Sequence, residues 1–165
     1  MIGMAVNTKK VRDRRVIALK TLDDLRVETK RLAAADRAGR LRRVGNWTTG
    51  QVLGHVAFWM NAAFDGMPGP SPPFLLRILG PIMVKPMLLW KMPAGVRLPG
   101  AEQGTYGVDM ISTDEGERRL LAAIDRFERD TLPPRHQAFG RMSPAQWTRL
   151  HLNHAMLHFS FLHDV

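Results

Sequence analysis

Apolar residues recur at helical spacing in four stretches of the chain, and a polar residue that can cap a helix precedes each stretch. Thr21 followed by Asp24 has the spacing of a capping box, and so does Thr48 followed by Gln51. The predicted helices cover residues 22–36, Thr48 to near Gly66, Ser112 to just before Pro133, and Ser143 almost to Val165. No stretch shows a convincing period of two residues, so we predict no strands.

A long excursion separates the second predicted helix from the third. Residues 67–73 read MPGPSPP and favour a loop, because proline removes backbone donors and restricts the residue before it. Residues 74–90 are apolar with two prolines, which predicts two short helices over the core or, alternatively, a flap over a pocket. Residues 91–111 contain four glycines and two prolines and are predicted to be a loop. The predicted fold class is therefore all-α: a four-helix bundle with a long loop and short-helix excursion between the second and third main helices.

The length of 165 residues fits one compact domain. We predict a flexible basic leader at residues 1–14 and a single helical bundle domain at residues 15–165. The start lacks an apolar run of signal-peptide length, and the stretch 74–90 is shorter than the ~20 residues that span a bilayer. We therefore expect a cytoplasmic protein with no membrane span.

The net charge of +9 is concentrated at one end of the chain. The first 43 residues hold 13 Lys and Arg against five Asp and Glu, and the remaining residues hold 11 against 10. A basic stretch can contact phosphates, but this one has no aromatic side chain to stack on bases and no nucleic-acid motif. We interpret it as a solvated surface, so nucleic-acid binding through residues 9–43 is the weakest of three functional hypotheses.

The absence of cysteine excludes disulfides, cysteine zinc sites and a thiolate nucleophile of the protein's own, so a bound metal would need His, Asp or Glu ligands. Four of the six histidines lie in the last predicted helix. One face of it carries Trp147, His151, His154, His158 and Phe161, whereas His163 points away. His154 and His158 are one turn apart, a spacing that lets two imidazoles bind one metal ion.

His55 is the one ionisable residue on the inward face of the second predicted helix. A buried imidazole needs partners for its nitrogens, and a single histidine of this kind is most often a hydrogen-bonded core residue. Together with His154 and His158, however, it makes a three-histidine metal site that leaves coordination positions open for water or substrate. Zinc, nickel, iron and manganese are all chemically possible. His151 is a reserve ligand, a residue that supports the ligands, or an acid–base residue.

Further residues are candidates for roles at the same site. Gln51 lies one turn before His55 and could donate a hydrogen bond into the site, although its capping role explains it equally well. The candidate catalytic residues are therefore His151 and Gln51. The candidates for substrate binding are Trp59, Phe161 and His136. For His136, in the loop before the last helix, a structural turn is favoured over a place at the pocket rim.

Three segments resemble the DinB-like superfamily, particularly an uncharacterised bacterial branch of it. They are GNWTTGQVLGHVAFW at 45–59, HQAFGRMSPAQW at 136–147 and HLNHAMLH at 151–158. The resemblance covers most of the chain from about residue 15 onward. It implies a four-helix bundle, often dimeric, that holds a divalent metal through one histidine of the second helix and two of the last. Those positions in this chain are His55, His154 and His158.

The resemblance also suggests a reaction. Characterised relatives include metal-dependent transferases and isomerases that use low-molecular-weight thiols such as bacillithiol or mycothiol. The leading hypothesis is therefore a metal-dependent enzyme that transfers such a thiol to an electrophilic small molecule, with zinc or nickel favoured over iron or manganese. The lack of cysteine suits this chemistry, because the thiol would arrive with the cosubstrate.

A second hypothesis is a non-catalytic protein that binds an apolar small molecule in the same cavity without a metal. Its histidines would then be hydrogen-bonded to each other or to the backbone. Leu157 and Phe161 stand where the nearest branch usually has a histidine and a glutamine. These two residues make that end of the site more apolar, which slightly favours this alternative.

Overall fold

The computed structural model describes residues 5–67, 79–80, 82, 86–89, 91–98, 100–101 and 104–165, and the chain is mostly helical. The main helices within the described residues are α1 (Leu22–Arg37), α2 (Thr49–Asp65), α3 (Thr113–Arg129) and α4 (Pro144–Phe159). They agree with the four predicted helices, except at the end of the last one.

The helices begin where the sequence predicts their caps. The hydroxyl of Thr21 accepts a hydrogen bond from the Asp24 amide, and the hydroxyl of Thr48 accepts one from the Gln51 amide. In both cases the side chain three residues on accepts a bond from the amide of the cap residue, which completes a capping box. These bonds satisfy amides that a first helical turn leaves free, so local sequence determines where each helix starts.

The prediction that the chain has no strands is wrong. The described residues include β1 (Leu41–Arg43), β2 (Arg135–His136), β3 (Gly140–Arg141) and β4 (Leu162–Asp164). Strand β1 pairs antiparallel with β4, and β2 pairs antiparallel with β3. Strands of two or three residues are too short to show a period in the sequence, and they form because backbone groups between helices need hydrogen-bond partners.

The last helix is shorter than predicted, because it ends at Phe159 instead of continuing almost to Val165. The Phe161 amide donates a hydrogen bond to the His158 carbonyl, which tightens the chain into a turn. Residues 162–164 then pair with β1. The pairing of β1 with β4 thus supplies the backbone hydrogen-bond partners that further helical turns would have supplied.

Helices α2 and α3 approach each other most closely, and two glycines allow it. A Cβ atom on Gly116 would lie 2.7 Å from the carbonyl oxygen of Gly50. Helix α4 packs against α2 and α1, and α1 also packs against α3. The fully buried side chains of the shared core include Leu25, Leu32, Leu53, Met60, Leu120, Ile124, Leu152 and Phe159.

Asp36, near the end of α1, connects this helix to the starts of two others. Its carboxylate accepts hydrogen bonds from the hydroxyls of Thr49 and Thr113, the first residues of α2 and α3. A carboxylate at a helix N-terminus also interacts favourably with the helix dipole. One side chain therefore holds three helix ends in register.

Several basic residues of the first third of the chain pair with carboxylates. Arg37 of α1 contacts Asp114 and Glu117 of α3. Other pairs are Arg15–Glu28, Arg26–Asp125, Arg26–Glu128, Arg31–Asp164, Arg40–Asp164 and Arg42–Asp13. Exposed ion pairs contribute only about 0–1 kcal/mol each to stability. Their main effect here is to compensate part of the positive charge of this region.

Residues 5–14, predicted to be a basic leader, lie against the body of the domain. The backbone of Val6 exchanges two hydrogen bonds with the side chain of Asn46. The guanidinium of Arg14 lies 5.3 Å from the centroid of the Phe161 ring. The leader therefore contacts the segments just before α2 and just after α4.

Part of the predicted excursion lies outside the described residues. This holds for residues 68–78, which include most of the predicted proline loop and the start of the segment 74–90. The described parts of that segment, residues 79–80, 82 and 86–89, are helical. Within the described residues, 91–111 contains neither helix nor strand, as predicted, and no helix is long and apolar enough to cross a membrane.

The close contact at Gly50 predicts a large effect of one added methyl group. In Gly50→Ala the new Cβ would lie 2.2 Å from the Ile111 carbonyl oxygen, so the backbone must move. We expect urea unfolding to show a loss of about 1–3 kcal/mol. Gly54→Ala is the control, because its Cβ would meet the flexible end of the Ile111 side chain and alanine favours the helix by about 1 kcal/mol. Equal stabilities of the two variants would contradict this account of the helix contact.

Candidate metal centre

Three histidine side chains from two helices meet in one place, as the sequence predicts. His154 and His158 lie one turn apart on α4, and their Nε2 atoms are 3.1 Å from each other. His55 of α2 joins them, with ring centroids 5.1 Å from His154 and 4.5 Å from His158. One ring nitrogen from each of the three lies within 4.8 Å of the others, which makes them a group that could hold a metal ion.

The hydrogen bond of His55 determines which of its nitrogens is available. Its Nδ1 lies 2.9 Å from the carbonyl oxygen of Tyr106. A carbonyl can only accept, so Nδ1 carries the proton and Nε2 keeps its lone pair. Metal-binding histidines are commonly oriented by such a bond from the other ring nitrogen. The loop at the end of the excursion therefore orients a candidate ligand on α2.

The surroundings keep the three rings uncharged at neutral pH. Burial lowers the pKa of His55 to about 4, even though its bond to Tyr106 opposes the shift. Burial also lowers the pKa of His154 and His158 well below the ordinary value of 6.5, and repulsion from neighbouring imidazoles adds to the effect. Neutral imidazoles bind metal without first losing a proton. His154 and His158 stay partly exposed to solvent, which leaves an approach to the group.

The donor set fits a divalent transition metal. Zinc–nitrogen bonds of about 2.0–2.1 Å place two nitrogens of a tetrahedral site roughly 3.3 Å apart. The two Nε2 atoms on α4 already lie 3.1 Å apart and share one hydrogen, which would move to the Nδ1 atom of its ring so that both Nε2 atoms could bind a metal. The widest pair of the three nitrogens would need to close by up to about 1.5 Å, which a change of side-chain torsion can provide.

Two tryptophans surround the histidines. The ring of Trp47 stacks on His158 at 5.1 Å and lies 4.8 Å from His55. Trp59, predicted as a substrate-binding residue, lies edge-on to His55 at 6.2 Å and to His154 at 6.1 Å. Both indoles are therefore placed to contact a molecule that reaches the group.

Sequence reasoning missed two groups at this site. Trp47 directly precedes the Thr48 cap, and the hydrophobic-staple pattern with Val52 could have placed its ring over the first turn of α2. The Tyr106 carbonyl left no signal, because any residue carries a backbone oxygen. In the structure, Gly107 shows how closely this loop follows α2. Its φ is positive, and a Cβ atom on it would lie 2.3 Å from the Phe58 ring.

His151 and His136 lie apart from the three-histidine group. The ring of His151 stacks on Trp147 and meets the ring of Phe127 edge-on. Burial, assisted by the charge of His136, lowers the pKa of His151 to about 3. The Nδ1 of His136 accepts hydrogen bonds from two amides of its own turn, and its ring stacks on Phe139. This turn is the structural role that the sequence favours for His136.

Gln51 and Phe161, the two remaining candidate site residues, make contacts of other kinds. The Gln51 side-chain oxygen accepts a hydrogen bond from the Thr48 amide and so caps α2. Phe161 lies beyond the end of α4, where its ring packs against Gly45. The prediction that Phe161 shares a helical face with the histidines is wrong, because the helix ends before it.

The chain was compared with known proteins. One family matches it over residues 11–165, and its description is "Protein of unknown function (DUF1569)". No curated protein and no solved structure matches the chain.

The lowered histidine pKa values predict a loss of stability in acid. Burial lowers the pKa of His136 to about 4, so between pH 6.5 and 4 the unfolded chain binds a proton that the folded chain does not. The free energy of unfolding should therefore fall as the pH falls through this range. His136→Asn keeps an oxygen that can accept the two amide bonds but cannot bind the proton.

Urea unfolding at pH 7, 6, 5 and 4.5 compares the wild type with this variant. We expect the wild type to lose up to about 1.4 kcal/mol per pH unit more than His136→Asn. Parallel pH profiles would show that His136 does not stay neutral in the folded chain.

Proposed function

The chain belongs to the family described as "Protein of unknown function (DUF1569)", and we propose that it is a metal-dependent enzyme that transfers a low-molecular-weight thiol to an electrophilic small molecule. The observation that carries this proposal is the convergence of His55, His154 and His158. Three uncharged nitrogen donors leave coordination positions for an external ligand, as catalytic metal sites require.

The residues in and around the three-histidine group would have different roles at such a site. His154 and His158 offer two nitrogens from one rigid helix, and the Tyr106 carbonyl holds His55 with its Nε2 unprotonated. The stacked Trp47 limits the access of water to one side of the rings. A divalent metal bound there would lower the pKa of a thiol, so that it binds as a thiolate.

The chain has no cysteine, so the sulfur must come from a small molecule. In the proposed reaction the thiol loses its proton and its sulfur forms a bond to an electrophilic carbon. The leaving group departs with the electron pair of the broken bond, and the proton passes to it or to solvent. Zinc or nickel is the metal we favour, because imidazole ligands suit both, and iron or manganese is the alternative.

Three broader features belong to the same proposal. We propose that the helices form a DinB-like four-helix bundle, which is supported by the packing of α1, α2, α3 and α4 around a shared core. We propose a homodimer on the strength of the family resemblance. A location in the cytoplasm is part of the same proposal.

A second candidate function is binding of an apolar small molecule without metal. The observation in its favour is the direct hydrogen bond between His154 and His158, which satisfies one nitrogen of each ring without an ion. This candidate predicts little change in thermal stability when a chelator is added.

Loading the untagged protein with Co²⁺ tests the metal site and then the thiol chemistry. We expect one ion per chain by elemental analysis and the visible absorption of a low-coordinate site. His55→Ala and His158→Ala should each weaken Co²⁺ binding at least tenfold, because each removes one of three ligands. His163→Ala is the matched control, since this histidine lies on β4 and contacts the Asp13 carbonyl instead.

The same sample then receives 2-mercaptoethanol, with ethylene glycol as the control lacking sulfur. A thiolate bound to Co²⁺ gives a near-ultraviolet charge-transfer band that the glycol cannot give. Metal binding without this band would overturn the thiol part of the proposal. If none of Co²⁺, Zn²⁺, Ni²⁺ and Mn²⁺ binds in a stoichiometric amount, the proposal of a metal-dependent enzyme is overturned and the second candidate function is favoured.

The bond between His55 and the Tyr106 carbonyl predicts an effect from a residue outside the ligand set. In Gly107→Ala the new Cβ would lie 2.3 Å from the Phe58 ring, which pushes the loop away from α2. We expect Zn²⁺ affinity to fall about 10–100-fold, the usual effect of losing a bond that orients a ligand. Gly104→Ala is the control, because it also has a positive φ but makes only ordinary contacts with Arg97. Equal losses in both variants would mean that backbone strain, rather than the orientation of His55, accounts for the effect.

A further inference from the structure

Three buried polar atoms in the described residues have no hydrogen-bond partner: Arg15 Nε, Trp59 Nε1 and His151 Nε2. One of these three atoms belongs to a side chain beside a candidate ligand. The Trp59 ring is 6.1 Å from His154. An unpaired buried donor costs about 1–3 kcal/mol, so this place favours a polar ligand over an apolar one.

Not every tryptophan of this chain has an unpaired indole N–H. Trp147 donates its Nε1 hydrogen to the Pro133 carbonyl at 2.9 Å. Trp59 has no such partner, although its Nε1 is shielded from solvent and its ring lies against both His55 and His154. The ring that carries the unpaired donor therefore adjoins the three-histidine group.

The charge of the group indicates what kind of ligand the donor would meet. The three candidate ligands are imidazoles, which carry no negative charge, and the group includes no carboxylate of the described residues. A divalent ion held by three imidazoles would keep its two positive charges in a partly buried place. Such charges need anionic partners. One thiolate would balance one charge, which leaves the other for a second anionic group.

We propose that Trp59 Nε1 donates a hydrogen bond to a carboxylate oxygen of the second, electrophilic substrate at the three-histidine site. This inference rests on the proposed function and narrows it, because the electrophile must then be a small carboxylate-bearing molecule. Trp59 acts as a ligand-binding residue, and it holds the substrate beside the histidines without binding the metal itself.

Acetate serves as the probe in a comparison of the wild type, Trp59→Phe and Trp147→Phe. Each variant loses one indole N–H, but the Trp147 hydrogen already has a protein partner. With each protein loaded with Co²⁺, acetate is titrated against the visible absorption. We expect Trp59→Phe to bind acetate about tenfold more weakly, with unchanged Co²⁺ affinity, and Trp147→Phe to bind it like the wild type.

The indole N–H signals in a ¹H–¹⁵N spectrum locate the effect and do not require a coloured metal. The chain has four tryptophans, and the signal missing in Trp59→Phe identifies Trp59. Acetate added to the Zn²⁺-loaded wild type should move that signal downfield and leave the Trp147 signal in place.

The outcomes separate this inference from the proposed function. If metal binds but acetate affinity is equal in wild type and Trp59→Phe, the carboxylate inference is overturned and the metal site stands. If no metal binds but acetate still moves the Trp59 signal, the proposed function is overturned and the anion-binding role of Trp59 is supported. If neither occurs, both are overturned.

Discussion

The organising constraint of this fold is the burial of imidazole rings that have no charged partner. Burial of His55, His154 and His158 keeps these three rings unprotonated at neutral pH, so each ring must satisfy its nitrogens as a neutral molecule. A backbone carbonyl meets one nitrogen of His55, and the α4 pair meet each other. The path of the loop at Tyr106 and the pairing of His154 with His158 both meet this requirement.

Contacts elsewhere in the fold hold α2, and with it the backbone of His55, in place. Asp36 ties the start of α2 to α1 and α3, and the contact at Gly50 leaves no room for α2 to move toward α3. Because α2 is held from both sides, His55 has little freedom except in its side-chain torsions. The adjustment that a metal would require must therefore come from rotation of rings, and not from sliding of helices.

Much of this could be predicted from the sequence, because the governing interactions are local. Capping boxes act over three residues, and the spacing of His154 and His158 is a property of a single helix. The end of α4 could not be predicted in this way, since pairing with β1 depends on residues more than a hundred positions away. Phe161 was misplaced for that reason. The role of Tyr106 was hidden because a backbone oxygen has no signature in the sequence.

The ladder between β1 and β4 joins the two segments that carry the site. Helix α4 ends one residue after His158 and continues into β4, while β1 leads through Trp47 into α2 and His55. Only three residues on each side form this ladder. Opening so short a ladder costs less free energy than unfolding the domain. Fraying of this ladder therefore loosens the end of α4 and the approach to α2 together, while the rest of the domain stays folded.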